Sequence, residues 1–295
     1  MDNSDVKTYG LLGRNISYSV SPAMHNTAFK HFNIPARYEI FDVAEEEVEV
    51  FFDKVLSGDI AGFNVTVPYK IKTKKFLSSK GCQLDQWVEI TGALNTVKKI
   101  GMDFKGYNTD VSGFYSSACL DLGIDLESGA GSTVFIAGAG GAGRAIALFL
   151  AHMNIEKVYV FDIDDVRLNS LQEVFDDIGG AERSKFCPVK ISEEMMEGLK
   201  EADIIVNATP LGTHEGDPTP IPIEILSKDQ AVYDLVYARE TELLKGAKAK
   251  GLRCSNGLGM LVNQGALAFE IWTGKPFPEV KEIMKEAALE ELAKR

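Results

Sequence analysis

The stretch Ser132–Arg144, STVFIAGAGGAGR, constrains this chain more than any other. Val134 to Ala137 are apolar, with the composition of a strand buried on both faces. They run straight into Gly138, Ala139, Gly140, Gly141, Ala142 and Gly143, and then into the helix-forming stretch Arg144–Ala151. Strand, glycine turn and helix in this order make the first half of a dinucleotide-binding unit. Gly138 suits the tight turn, and Gly140 lets the backbone approach a pyrophosphate with no Cβ in the way. Gly143 lets the helix lie close to the strand, and the helix N-terminus offers free N–H groups to an anion.

At 295 residues the chain is too long for one small core, which predicts two domains. It contains no apolar run of ~18 residues, so no membrane span is expected. Met1–Lys7 is polar and acidic, unlike a secretory signal. The dispersed cysteines Cys82, Cys119, Cys187 and Cys254 read as free thiols in a reducing, cytoplasmic setting. The histidines show no metal-ligand spacing, and no metal is expected. A net charge of −12 speaks against nucleic acid as a partner. An anionic ligand must therefore be drawn in by local positive charge.

Before the glycine turn, strands are expected at Thr8–Leu12, Tyr38–Val43, Gly62–Val67 and Gly92–Val97, with a hairpin through Gly101–Tyr107. Helices are expected from Ser21, as a serine cap ahead of Pro22, over Val48–Leu56, and in the lysine-rich run after Pro68. This alternation predicts an α/β domain with a mostly parallel sheet. A helix over Val111–Leu122 and a turn-rich boundary over 123–132 lead into the second unit. There, strands at Val134–Ala137, Lys157–Phe161, Lys185–Val189, Ala202–Asn207 and Ala231–Leu235 predict a Rossmann-type, doubly wound nucleotide domain. Met260–Trp272 reads as a buried helix, and an amphipathic helix ends the chain.

Asp162 falls at the end of the second strand of that unit. An acid there accepts hydrogen bonds from the ribose hydroxyls of NAD and repels the 2′-phosphate of NADP, so NAD is the expected cofactor and NADP the lesser candidate. An ordinary charged turn is the structural alternative, and Arg167 downstream could hold a phosphate. Asn207–Gly212 follows another strand end and should border the nicotinamide. In the first domain, Asn64 and Thr66 share one face of a strand, with Lys70 just beyond its end. Asn95-Thr96 and Asn108-Thr109-Asp110 stand at two further strand ends. Each cluster alone reads as a capped turn; three converging beside a redox domain read as a site. His25, on the first helix, reads as structural.

The stretches Gly13–Asn26, Asn64–Lys70, Gly92–Val97, Gly106–Asp110, Gly138–Gly143, Asn207–Pro210 and Gly257–Ala266 resemble the shikimate/quinate dehydrogenase family over nearly the whole chain. The resemblance implies a reversible reduction of 3-dehydroshikimate to shikimate with a nicotinamide cofactor. It implies Lys70 and Asp110 as the catalytic pair. Ser19, Ser21, Asn64, Thr66, Asn95 and Gln264 would bind the carboxylate and hydroxyls of the substrate, with Tyr237 nearby. The glycine turn, Asn207, Thr209 and Gly257 would belong to the cofactor side. Residues 1–110 with 256–295 would form the substrate domain and 111–255 the nucleotide domain, with the site in the cleft between them and a homodimer as a possible assembly. The residue types suit this chemistry: oxidising a secondary alcohol needs a base on the hydroxyl, and a polyhydroxylated acid needs neutral donors and acceptors. Whether Lys70 or Asp110 takes the proton is left open.

Three departures stand out. Asn15 and Tyr18 replace the family's usual proline and histidine. Leu235–Leu244 lacks a proline after Tyr237 and is shorter. Asp162-Ile163-Asp164 stands where NADP-using members carry Asn-Arg-Thr. A quinate dehydrogenase is the rival within the family, and a non-catalytic cofactor-binding regulator is the rival outside it.

Overall fold

The computed structural model describes residues 6–58, 60–126, 131–190 and 192–294. The opening residues 1–5 and positions 127–130 of the expected boundary lie outside the described residues. The chain divides into two compact units, residues 1–113 with 262–295 and residues 114–261.

The first unit contains β1 (Lys7–Gly13), α1 (Ser21–His31), β2 (Ala36–Asp42), α2 (Val48–Ser57), β3 (Ile60–Val65) and α3 (Lys70–Ser79). It continues with β4 (Gln83–Leu84), α4 (Gln86–Thr91), β5 (Thr96–Ile100), β6 (Asp103–Tyr107) and the start of α5 (Thr109–Leu122). The strands form one sheet in the order β2-β1-β3-β5-β6-β4. β1 runs parallel to both neighbours, and β5 runs antiparallel to β3 and β6. That reversal brings the end of β3, the start of β5 and the end of β6 to the same edge, because antiparallel neighbours exchange ends.

Two local expectations are corrected. Ser21 does not cap α1: the cap position is Val20, which makes no side-chain cap bond, and Ser21 is already helical. Its hydroxyl is thereby left for other partners. The strand expected from Gly92 begins only at Thr96. Gly92 instead closes α4 in the left-handed region at φ 71°, its N–H bonded to Val88, a conformation that favours glycine.

The second unit contains β7 (Ser132–Ala137), α6 (Gly141–His152), β8 (Ile155–Phe161), α7 (Asp165–Ile178), α8 (Gly180–Lys185), β9 (Phe186–Val189) and α9 (Ser192–Glu201). β10 (Ile204–Asn207), β11 (Ala231–Asp234), α10 (Glu242–Ala249) and β12 (Arg253–Asn256) follow. All pairings are parallel, in the order β12-β11-β10-β7-β8-β9. This is the doubly wound order, whose direction reverses between β7 and β10, and ligands bind outside the strand ends at that reversal. Val134 to Ala137 and Ile205 to Val206 are buried along it, as strands covered on both faces require. The chain then runs through α11 (Leu258–Thr273) into α12 (Phe277–Leu292).

Candidate active site

Lys70 opens α3 just past the end of β3, and Asp110 lies in the first turn of α5 just past β6. Their side chains meet: Nζ donates to Oδ2 at 2.6 Å, with 16% and 12% of the two side chains exposed. The other carboxylate oxygen, Oδ1, accepts from Asn95 Nδ2 at 2.9 Å. Asn95 Nδ2 also donates to Thr109 Oγ1 at 2.9 Å and more distantly to Gln264 Oε1 at 3.3 Å. Its own oxygen accepts the Thr109 N–H at 2.8 Å. Asn108 Oδ1 accepts the Asp110 N–H at 3.1 Å, while its amide holds Thr91 and Ala93. Asp110 is thus gripped on both oxygens and at its backbone. Its free rotation is removed before any ligand arrives.

Asn64 belongs to the same buried network. It donates to Thr96 Oγ1 at 2.9 Å and to the Asn95 carbonyl at 3.2 Å, and accepts from Tyr38 Oη at 2.8 Å. Both amide hydrogens are therefore engaged, and the oxygen has capacity for one more bond. Thr66 lies partly buried beyond β3, its N–H donating to Leu12 at 2.8 Å. Ser19 and Ser21 stand 3.1 Å apart through their hydroxyls. Gln264 sits on α11 within reach of Asn95. Tyr237 belongs to the second unit, partly buried in the loop after β11. Tyr38, Thr96 and Thr109 are buried members of the network. Thr96 and Thr109 fall in polar clusters visible in the sequence; Tyr38 reads only as strand core, and no sequence signal marks its hydroxyl.

His25 is fully buried, with neither ring nitrogen hydrogen-bonded. It stacks on Tyr38 with centroids 4.2 Å apart. Burial lowers its pKa to about 3, so the ring is neutral and packs as an aromatic.

In the second unit the glycine turn has the expected constraints. Gly138 sits at φ 105°, and a Cβ there would come within 2.9 Å of the Ala208 backbone. A Cβ on Gly143 would collide with the Gly138 carbonyl oxygen. At Gly140, by contrast, an added Cβ meets nothing within 4 Å. Gly140 caps α6 without any side-chain cap, and the first turn, which includes Gly141 and Ala142, holds no acid. The open space and the uncapped N–H groups fit a dinucleotide pyrophosphate.

Asn207 is completely buried and braces the next strand end. It donates to Asp234 Oδ1 at 2.9 Å and accepts from Thr209 Oγ1 at 2.7 Å. Burial pushes the Asp234 carboxyl up, opposed by bonds from Thr241, Val236 and Asn207. A Cβ on Gly257 would collide with the Leu235 carbonyl oxygen, so this glycine is required by packing. Among the described residues no group of three or more His, Cys, Asp or Glu could hold a metal ion.

Comparison with known proteins gives the context. A model of the shikimate dehydrogenase substrate-binding domain matches residues 11–97, and one of the shikimate 5′-dehydrogenase C-terminal domain matches residues 257–289. A shikimate dehydrogenase (NADP(+)) of Caldanaerobacter subterraneus subsp. tengcongensis is 37% identical over 93% of this chain and 94% of its own. The chain belongs to the shikimate dehydrogenase family. Another member, the shikimate dehydrogenase (NADP(+)) of Methanocaldococcus jannaschii, is 37% identical over the full length of both chains. The family's two-domain, Rossmann-like fold is shared with the solved shikimate 5-dehydrogenase from Thermus thermophilus in complex with NADP(H) and shikimate. That structure has a TM-score of 0.81 and 32% identity over 97% of this chain and 99% of its own.

These relatives overturn the NAD preference expected from Asp162, for they are named for NADP(+). The physical reason lies in what that carboxylate touches. Asp162 Oδ2 accepts the Ala139 N–H at 2.7 Å, and Oδ1 accepts the Asp164 N–H at 2.9 Å. With only 9% of the residue exposed, the acid is engaged in tying the glycine turn to the end of β8. Its position at the strand end therefore does not by itself make it a ribose acceptor, since each oxygen already holds a backbone donor. Arg167, the basic residue downstream, is exposed and pairs with Asp164 at 3.2 Å.

Proposed function

We propose that this oxidoreductase interconverts shikimate and 3-dehydroshikimate with NADP(H), and that Lys70 and Asp110 handle the hydroxyl proton. The observation that carries the reading is the 2.6 Å contact between Lys70 Nζ and Asp110 Oδ2, held by Asn95 on the far side of the carboxylate. A bound nicotinamide would supply the hydride chemistry at the alcohol carbon or, in the reverse direction, at the ketone. The chain's own task is then to move one proton at the substrate oxygen. A lysine and a carboxylate in contact can share that proton, so the pair can serve both directions of reaction without either group leaving its place.

The adjacent Ser19 and Ser21 hydroxyls are assigned as donors for the substrate carboxylate. Thr66, Asn64, Asn95 and Gln264 offer neutral groups for ring hydroxyls, and Tyr237 is assigned to the substrate on the family resemblance alone. Residues 1–110 with 256–295 act as the substrate domain and 111–255 as the nucleotide domain. The glycine turn Gly138–Gly143 takes the pyrophosphate, with Asn207, Thr209 and Gly257 shaping the strand ends beside it. Arg167, at the start of α7, is the group for the 2′-phosphate. The four free cysteines support a reducing, cytoplasmic setting.

The test is a matrix of initial rates with shikimate or quinate against NADP or NAD. The highest kcat/KM is expected for shikimate with NADP. A higher value for quinate, or for NAD, overturns the corresponding half of the proposal.

A further inference from the structure

Arg144 occupies the first turn of α6, immediately after the glycine turn, and is the one arginine among the described residues with a buried side-chain nitrogen that lacks a hydrogen-bond partner. Arg14, Arg37, Arg167 and Arg183 each have a carboxylate partner. Arg144 has none among the described residues, and its buried Nε is without any hydrogen-bond partner. Burial disfavours its charge, pulling its pKa below the ordinary arginine value. Partly buried cations are normally paired. An unpaired one beside a phosphate-binding turn, in a chain of net charge −12, calls for an anion from outside.

The direction of the side chain says which anion. Arg144 does not fold back over the turn where the pyrophosphate would lie. Its Nη1 reaches across to α7 and donates to Ser170 Oγ at 3.3 Å. Ser170 is exposed and lies three residues after Arg167, on the same helix face. Side chains on a helix lean toward its N-terminus, so the Ser170 hydroxyl stands over the turn that carries Arg167. The two guanidinium groups therefore flank the first turn of α7, at the end of β8, where the adenosine ribose of a dinucleotide sits. Asp164 is occupied by Arg167 and by the Val166 N–H, and Asp162 by two backbone N–H groups. The Asp164 side chain nonetheless stays 42% exposed and Asp165 beside it is exposed, so an anion there needs more than one cation.

We propose that Arg144 is a cofactor-specificity residue: with Arg167 it clamps the adenosine 2′-phosphate, exchanging its weak bond to Ser170 for a charge-assisted one to phosphate. This rests on the NADP reading above and deepens it. It also explains how an NADP-binding site can tolerate Ile163 between two acids: the second cation comes from α6, in place of the residue after Asp162.

The test is equilibrium binding to the full chain, by fluorescence titration with NADPH and NADH and by calorimetry with 2′,5′-adenosine bisphosphate and 5′-AMP. Arg144→Met should weaken NADPH and the bisphosphate about tenfold, the loss expected for one charge-assisted hydrogen bond, and leave NADH and 5′-AMP unchanged. Ser170→Glu changes an exposed helix position and gives Arg144 an internal carboxylate. It should produce the same selective loss, and it keeps the test available if Arg144→Met does not fold. Equal weakening of NADPH and NADH would assign Arg144 to the pyrophosphate and overturn the proposal. No change in either ligand would make Arg144 structural and overturn it as well. A wild-type chain that binds NADPH no better than NADH contradicts the cofactor reading and this assignment with it. A wild-type preference that survives Arg144→Met contradicts the assignment alone.

Discussion

Asp110 is held between two donors of different kinds, the Lys70 ammonium on Oδ2 at 2.6 Å and the Asn95 amide on Oδ1 at 2.9 Å. Lys70 and Asp110 lie 40 residues apart in sequence and are brought together by the antiparallel reversal at β5. The carboxylate's orientation is fixed by the fold, so replacing it by its neutral isostere tests charge with little change of shape. Asp110→Asn is expected to lower kcat for shikimate oxidation by about 10²–10⁴, the usual worth of a positioned acid–base group. The Kd for NADPH should be unchanged. Steady-state rates together with a fluorescence titration check both halves.

Asn95 is the hub of that network. Asn95→Ala removes the acceptor of the Thr109 N–H and one donor of Asp110. Leaving such buried groups without partners costs about 1–3 kcal/mol, readable as a lower denaturation midpoint with an unchanged slope. KM for shikimate should rise in the same variant. A change in KM with no loss of stability would mean that Asn95 contacts substrate without holding Asp110.

The role found for Asp162 also has a consequence. Because its carboxylate ties Ala139 to Asp164, Asp162→Ala should loosen the glycine turn and weaken NADPH and NADH by similar factors. Titration with each ligand measures this. A loss confined to NADH would return Asp162 to the part of a ribose acceptor.

His25 sets part of the acid stability. Its folded pKa is about 3 against ~6.5 for the unfolded chain. Between these values the unfolded state binds the extra proton, so stability falls as pH drops from 7 toward 3. At pH 5 the loss from this group is about 2 kcal/mol. Denaturation midpoints of wild type and His25→Phe at pH 7 and pH 5 provide the comparison, and the variant should lose less stability across that interval.

Much of this was legible in the sequence because the relevant signals are local. The glycine turn declares itself through strand, glycines and helix in succession, and the alternation of elements fixes the fold class. The polar strand ends at Asn64, Asn95 and Asp110 stand out against apolar neighbours. What could not be read was which partner each polar group takes. Ser21 has the residue type of a cap, yet it lies inside the helix with its hydroxyl against Ser19. Asp162 has the position of a ribose acceptor, yet two backbone N–H groups take its oxygens. Tyr38 bonds Asn64 across 26 residues, a contact that exists only once the strands are in register. Sequence pattern carries residue type and period; it does not carry the competition between partners brought together by the sheet.

The most direct measurement is the turnover of Lys70→Ala beside its cofactor affinity. With shikimate and NADP, kcat should fall by about 10²–10⁴, while the Kd for NADPH stays at the wild-type value because Lys70 lies in the substrate domain. Turnover retained within a few-fold of wild type would remove Lys70 from the proton step and contradict the assignment of the reaction to the Lys70–Asp110 pair.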